Sequence, residues 1–293
     1  MARFYRRCHM NKEILDLYSD YLLSFFGYTT ATGISRLLEG SVSHDRITRF
    51  LSAKAFTPAD LWLLVKPLVH KIQSKEGVLI FDDSIEEKPY TDENDIICWH
   101  WDHSKNRSVK GINFMTGLYY NNNVSLPVTF QLISKTEPVI DKKTGKPKRK
   151  SKMTKNEYYR AMVKSCVQNQ FEFTYILNDS WYSSAENMVF VKNDMKKEFV
   201  MPLKDNRKVA LSVADKKQGH YVRVNTLIPA HDTVMRIYLE GVEFPLLLAR
   251  QIFINEDSST AILYLVSSDM TLTMKRLPYS IKNDGKWKSI INH

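Results

Sequence analysis

VLIFDDSIEEKPY, residues 78–90, decides how this chain is read. An unbroken apolar run from Val78 to Phe81 ends abruptly in Asp82 and Asp83, and such a run without alternation marks a central strand covered on both faces. Acids placed directly after it stand at the rim of a sheet. A second stretch, YILNDSWYSS at residues 175–184, repeats the arrangement with Asp179. Two such carboxylates can share a divalent cation, because hard ions such as Mg²⁺ take oxygen ligands and keep waters for chemistry. Taken singly, an Asp at a strand end is more often a turn or a cap than a ligand.

The chain around these two segments alternates strands and helices. SVKGINFMTGLYY and VSLPVTFQLIS read as antiparallel strands joined by a hairpin at Asn121 to Asn123. Residues 142–155 carry eight Lys or Arg in fourteen positions, with Gly145 and Pro147, and read as a flexible basic loop. NEYYRAMVKSCVQN predicts an amphipathic helix, FEFTYILND a buried strand, SAENMVFVKNDM a helix and EFVMPL a strand. From Arg207 to Ala261 the pattern is almost wholly strand-like, through HYVRVNTL, VMRIYLEG, FPLLLARQIF and TAILYLVSS. Before Gly77 it is helical, and Gly27, Gly40 and Pro58 divide it into short helices resembling a helix-turn-helix unit. Ser43 caps one of these, which presents His44, Arg46 and Arg49; a bundle with solvated arginines has the same pattern.

Composition narrows the class. The 293 residues are 43% hydrophobic, enough for a real core, and carry a formal charge of +10, which favours a polyanionic partner, nucleic acid first. Cys8, Cys98 and Cys166 lack CxxC spacing, so neither a disulfide framework nor a zinc ribbon is indicated. No apolar stretch long enough for a membrane span and no secretory signal is present, so a cytoplasmic protein is expected. His100, Asp102 and His103 lack a matching second ligand pair and read as a surface turn. No Gly-x-Ser-x-Gly elbow and no Gly-rich phosphate loop occurs.

VLIFDDSIEEKPY resembles the first-Asp strand of bacterial insertion-sequence transposases of the DDE class, and YILNDSWYSS resembles their second-Asp segment. WHWDHSKNRSVKGINFMTGLYY and TAILYLVSSDMTLTMKRL are similar to their connecting stretch and to the approach to their catalytic Glu helix. The likeness runs from about Ile34 to Leu277 and breaks at Pro278. It implies a ribonuclease-H-like core with Asp82 and Asp179 as catalytic metal ligands, Asp83 replacing Asp82 if the register is one residue off, and Mg²⁺ or Mn²⁺ as cofactor. The chemistry implied is hydrolysis at transposon ends followed by strand transfer, which requires a third carboxylate.

PYSIKNDGKWKSIINH, residues 278–293, has no hydrophobic periodicity and looks like out-of-frame translation. One nucleotide back, Trp287 followed by Lys288 must encode Glu, and Asn283 followed by Asp284 must encode Arg if that frame is open. The shifted peptide can read Tyr-x-x-Arg-Trp-x-Val-Glu, which resembles the Tyr-x2-Arg-x3-Glu signature of the cut-and-paste branch. Glu256, Asp257 and Asp269 are other acids, but they read as a hairpin turn and an N-cap.

The fold expected is α/β: a ribonuclease-H-like mixed sheet with a helical N-terminal region and a β-rich insertion. Its expected divisions are residues 1–74, helical and DNA-binding; 75–206, catalytic core; 207–260, insertion; and 261–293, the last core strand with a truncated end. The function expected is a DNA transposase, defective alone for want of its third acid. Its rivals are a DNA-binding product that inhibits a complete transposase and a nuclease of the same fold. Double-stranded DNA and a second copy of the chain are the partners expected, in a bacterial, nucleoid-associated setting and without a membrane. Candidate DNA contacts are Arg46, Arg49, Lys110, Lys142, Lys143, Lys146, Lys148, Arg149, Lys150 and Lys152. Trp99, Trp101, Trp181 and Tyr182 could stack on unpaired bases, or simply pack.

Overall fold

A computed structural model describes residues 12–53, 55–102, 105–142, 145–227, 234–254, 258 and 260–272. Residues 1–67 and 68–293 form two separate units. The first contains helices α1 (Lys12–Ser24), α2 (Ala31–Leu37) and α3 (His44–Ser52) and the start of α4 (Pro58–Ile72). Ile14, Tyr21, Ile34 and Ile47 are its core. The starts of α2, α3 and α4 each have a chemical cause. Thr30 and Ser43 accept from Gly33 N and Arg46 N, and at α4 Thr57 and Asp60 bond reciprocally ahead of a proline suited to the first turn.

The second unit is built on one large mixed sheet. In chain order its strands are β1 (Val78–Glu87), β2 (Ile97–Asp102), β3 (Arg107–Asn121) and β4 (Val124–Leu132). A separate hairpin, β5 (Glu137–Ile140) and β6 (Pro147–Lys150), precedes helix α5 (Lys155–Gln168) and strand β7 (Tyr175–Asn178). Helix α6 (Ala185–Val189) runs into a π-turn at Phe190–Asp194, and β8 (Glu198–Leu203) and β9 (Lys208–Ala210) follow. Helix α7 (Val213–Gln218) and strands β10 (Val222–Arg223), β11 (Val234–Leu239), β12 (Leu246–Ile254) and β13 (Thr260–Ser267) complete the described chain.

Strand order in the sheet is β10-β9-β11-β12-β13-β8-β7-β1-β3-β2, with β4 also on β3. β1, β7 and β8 are mutually parallel and β3 and β4 antiparallel, which is the ribonuclease-H-like arrangement. The strands after β8 extend the same sheet, entering through an antiparallel β13–β8 pair. Asn122 and Asn123, both at positive φ, make the two-residue β3–β4 turn that right-twisted strands prefer. Among the described residues no helix is long and apolar enough to cross a membrane.

β1 divides the core between the two faces of the sheet. Val78 and Ile80 pack with Leu177, Val200, Leu247 and Leu265 on one face. Phe81 points to the other, where it meets Tyr159 of α5 edge-on at 5.3 Å. This is why the Val78–Phe81 run shows no alternation. Thr154 and Glu157 form a full capping box at the start of α5, so the helix begins where the basic stretch ends.

The structure corrects three expectations. The basic stretch is largely a β-hairpin, because acids lie close enough to neutralise it: Lys148 pairs with Asp141, and Arg149 with both Glu93 and Asp95. In the strand-like region after Arg207, Ser212 caps α7 and Gly219 ends it at positive φ. HYVRVNTL is a strand only at Val222–Arg223, after which a tight 3₁₀ turn buries Val224. Lys143, His103, Glu256, Asp257 and the tail after Leu277 lie outside the described residues.

Candidate active site

Phe81 and Asn178 are register partners on the adjoining parallel strands β1 and β7. Asp82, the next residue of β1, and Asp179, the first residue past β7, therefore lie side by side at the same end of the sheet, where neighbouring strands lie about 4.8 Å apart. Alternation puts Asp82 on the face of Val78 and Ile80. Leu177 packs on that face and Asp179 keeps an extended backbone, so the second carboxylate follows onto the same side. Asp179 also accepts from Ser180 N, which starts a 3₁₀ turn, Ser180–Tyr182, and bends the chain away from the sheet.

Asp83 faces the other way and is differently engaged. Its Oδ2 receives the Lys155 ammonium at 2.5 Å, and its Oδ1 accepts from the Tyr182 hydroxyl at 2.8 Å. Burial pushes the Tyr182 phenol well above its ordinary value, and the Asp83 carboxylate, with Asp82 and Asp179 further off, pushes the same way. Tyr182 stays protonated and donates. The turn carrying it is pinned from behind, since Asn187 Nδ2 donates to both Tyr182 O and Asn156 Oδ1 while Arg160 donates to Asn187 Oδ1. Sequence reasoning treated Asp83 only as a substitute for Asp82 and did not find Lys155, Asn187 or Arg160. Lys155 meets Asp83 across 72 residues, and Arg160 and Asn156 meet Asn187 across 27 and 31, and no local pattern signals such pairings.

His100 lies close to this cluster, 6% exposed, with Nε2 3.3 Å from Cys98 Sγ. Burial first, then the Lys135 and Lys155 ammonium groups, lower its pKa to about 4, against an opposing pull from Asp83. Burial raises the Cys98 thiol. A neutral imidazole beside a protonated thiol is a packing pair and not a nucleophile. Asp102, at the end of β2, accepts from Lys105 N in the following turn.

Asp269 accepts from Tyr175 Oη and from Thr271. Tyr175 opens β7 opposite Val78, so Asp269 stands at the far end of the strand from Asp179, roughly 13 Å along it, and does not complete the acid pair. Among the described residues no group of three His, Cys, Asp or Glu side chains is placed to hold a metal ion. What Asp82 and Asp179 offer is two hard oxygen donors on neighbouring strands, a donor set that suits a divalent ion retaining several waters.

Of the basic candidates, Arg46 and Arg49 are exposed on α3, and Lys110 lies on β3 opposite Trp99. Lys142, Lys148 and Lys150 are exposed along the hairpin, whereas Arg149 is turned into its two carboxylates. Lys146 is exposed near the hairpin tip, and Lys152 stands 3.9 Å from Glu137.

Three parallel strands flanked by an antiparallel pair, with an acid leaving the same end of two parallel neighbours, define the ribonuclease-H-like class of folds. A family model described as DDE superfamily endonuclease matches residues 3–223, and the chain belongs to that family. No curated protein matches it. Among solved structures, the Drosophila P element transposase strand transfer complex contains a similar chain, with a TM-score of 0.31 and 11% identity over 61% of this chain. The aligned part spans 35% of that protein chain.

Proposed function

We propose that this chain is a DNA transposase whose acid pair, Asp82 and Asp179, holds Mg²⁺ or Mn²⁺ for cleavage of transposon ends and strand transfer into target DNA. The observation that supports this reading most is the Phe81–Asn178 register, which sets the two acids beside each other on one face of the sheet. Bound divalent ions supply Lewis acidity and lower the pKa of water at a phosphodiester. The protein's own part is positional. Asp82 is held on a central strand, and Asp179 is held by a turn that Tyr182 and Asn187 fasten to β1 and α5. Basic side chains on α3 and the hairpin contact duplex phosphates, and a second copy of the chain joins it on the DNA.

The residues at positions 280–288 stand in place of the segment that would bring a third carboxylate, so in this reading the parent chain binds DNA and does not cleave it. Two acids leave a two-metal site short of a ligand and of negative charge. The test compares this chain with one re-encoded one nucleotide back from Ser280, using a supercoiled plasmid bearing the element's ends in Mg²⁺ or Mn²⁺. The re-encoded protein should nick, and the parent chain should bind without nicking. Nicking by both would show that another acid completes the site, and nicking without joining by the re-encoded protein would make it a nuclease of this fold.

A further inference from the structure

The face of the sheet that carries Asp82 continues beyond the acid pair as an open strip. Through the register pairs Asp82–Thr116 and Glu86–Ile112, β3 presents Thr116, Phe114, Ile112 and Lys110 on this side. Along β3 these half-open positions alternate with fully buried ones, so one face is core and the other accessible. The strip ends on the edge strand β2, where Trp99 pairs with Lys110 and Trp101 with Ser108. Both indoles remain about half exposed, at 54% and 51%, while Cys98 and His100, which alternate with them on the opposite face, are buried.

We propose that Trp99 and Trp101, with Lys110, bind unpaired nucleotides of a DNA strand whose backbone continues toward Asp82. This rests on the DNA reading above. Three features select the ligand. Side chains two residues apart on a strand share a face and stand about 6.6 Å apart, which offers two separate stacking surfaces. Indole stacks on any base face, but a duplex exposes such faces only at its ends, so the partner is single-stranded. The charge matches as well. Lys105 and Arg107 are drawn to Glu87 and Lys88 to Glu86, whereas among the described residues no carboxylate pairs with Lys110, leaving its ammonium for a phosphate. Since Asp82 pairs with Thr116 and Trp99 with Lys110, the stacking strip lies roughly 20 Å from the acids, within reach of a few nucleotides.

The test uses the full chain with fluorescently labelled oligothymidylate and, separately, a duplex of equal length, both followed by anisotropy. Trp99→Ala with Trp101→Ala should weaken oligothymidylate binding by at least about tenfold and change duplex affinity less than about twofold. Trp99→Phe with Trp101→Phe should keep most of the single-strand affinity, and a thermal melt checks that each variant is folded. Unchanged oligothymidylate affinity in the alanine variant overturns the proposal. So does a change confined to oligomeric state, which would make the indoles a contact between copies. If the parent binds neither oligonucleotide, the DNA reading itself falls. If it binds only the duplex, that reading stands and the single-strand strip does not.

Discussion

The Tyr182 hydroxyl donates a 2.8 Å hydrogen bond to Asp83 Oδ1, joining the turn that follows Asp179 to the strand that carries Asp82. A buried hydrogen bond to a charged acceptor contributes about 1.5–3 kcal/mol, and removing the donor leaves the carboxylate with less support. Tyr182→Phe should therefore lower unfolding free energy by about that amount in urea titrations. Because the same bond places the Asp179 turn, metal-dependent cleavage by the re-encoded protein should also fall, with duplex affinity retained. Stability equal to the parent would mean that the bond does not form in solution.

Adjacent acids should respond oppositely to the same substitution. Asp82→Asn removes a proposed metal ligand at a partly open position, so the re-encoded protein should lose nicking by at least about a hundredfold, an effect of several kcal/mol, and unfold much as before. Asp83→Asn leaves the Lys155 ammonium, 28% exposed, without its closest carboxylate and should cost about 1–3 kcal/mol of stability. Circular dichroism melts beside plasmid nicking separate the two. An Asp83→Asn protein that is stable but inactive would move the ligand assignment by one residue.

His100 gives stability a defined dependence on pH. Its pKa falls from 6.5 to about 4 on folding, so between these values the unfolded chain binds a proton that the native state excludes. The stabilisation is complete above pH 6.5 and is lost as pH falls toward 4, amounting to about 2–3 kcal/mol. Comparing urea midpoints of the parent and His100→Gln across that window should show a shallower slope in the variant. Parallel profiles would place the imidazole in water.

Much of this arrangement was legible because its signals are local. The Val78–Phe81 run and the turn asparagines Asn122 and Asn123 each carry their own conformational cause within a few positions. The Asp82–Asp179 juxtaposition required only that two buried strands be parallel neighbours. What escaped was either nonlocal or masked by composition. The clamp of Asp83, Lys155 and Tyr182 joins elements 72 and 99 residues apart. The hairpin of β5 and β6 has no apolar period, since its pairing rests on backbone bonds and on acids from before β2. Helix α7 is short enough that its apolar residues also fit a strand, although Ser212, Asp215 and Gly219 mark its ends.

The basic hairpin divides into residues that hold structure and residues available to DNA, and salt dependence distinguishes them. Arg149 is committed to Glu93 and Asp95, whereas Lys142 and Lys150 are exposed, with no such ion pair among the described residues. Each phosphate contact releases counterions and steepens the dependence of log affinity on log salt by about 0.9. Lys142→Ala with Lys150→Ala should weaken duplex binding regardless of sequence and reduce the slope by up to about 1.8. Arg149→Ala should leave that slope near the parent value and instead expose the hairpin to proteolysis, because its tie to the chain before β2 is gone. If the lysine pair leaves the slope unchanged while Arg149→Ala reduces it, the hairpin presents its opposite face to the phosphates and the carboxylates release Arg149 when DNA binds.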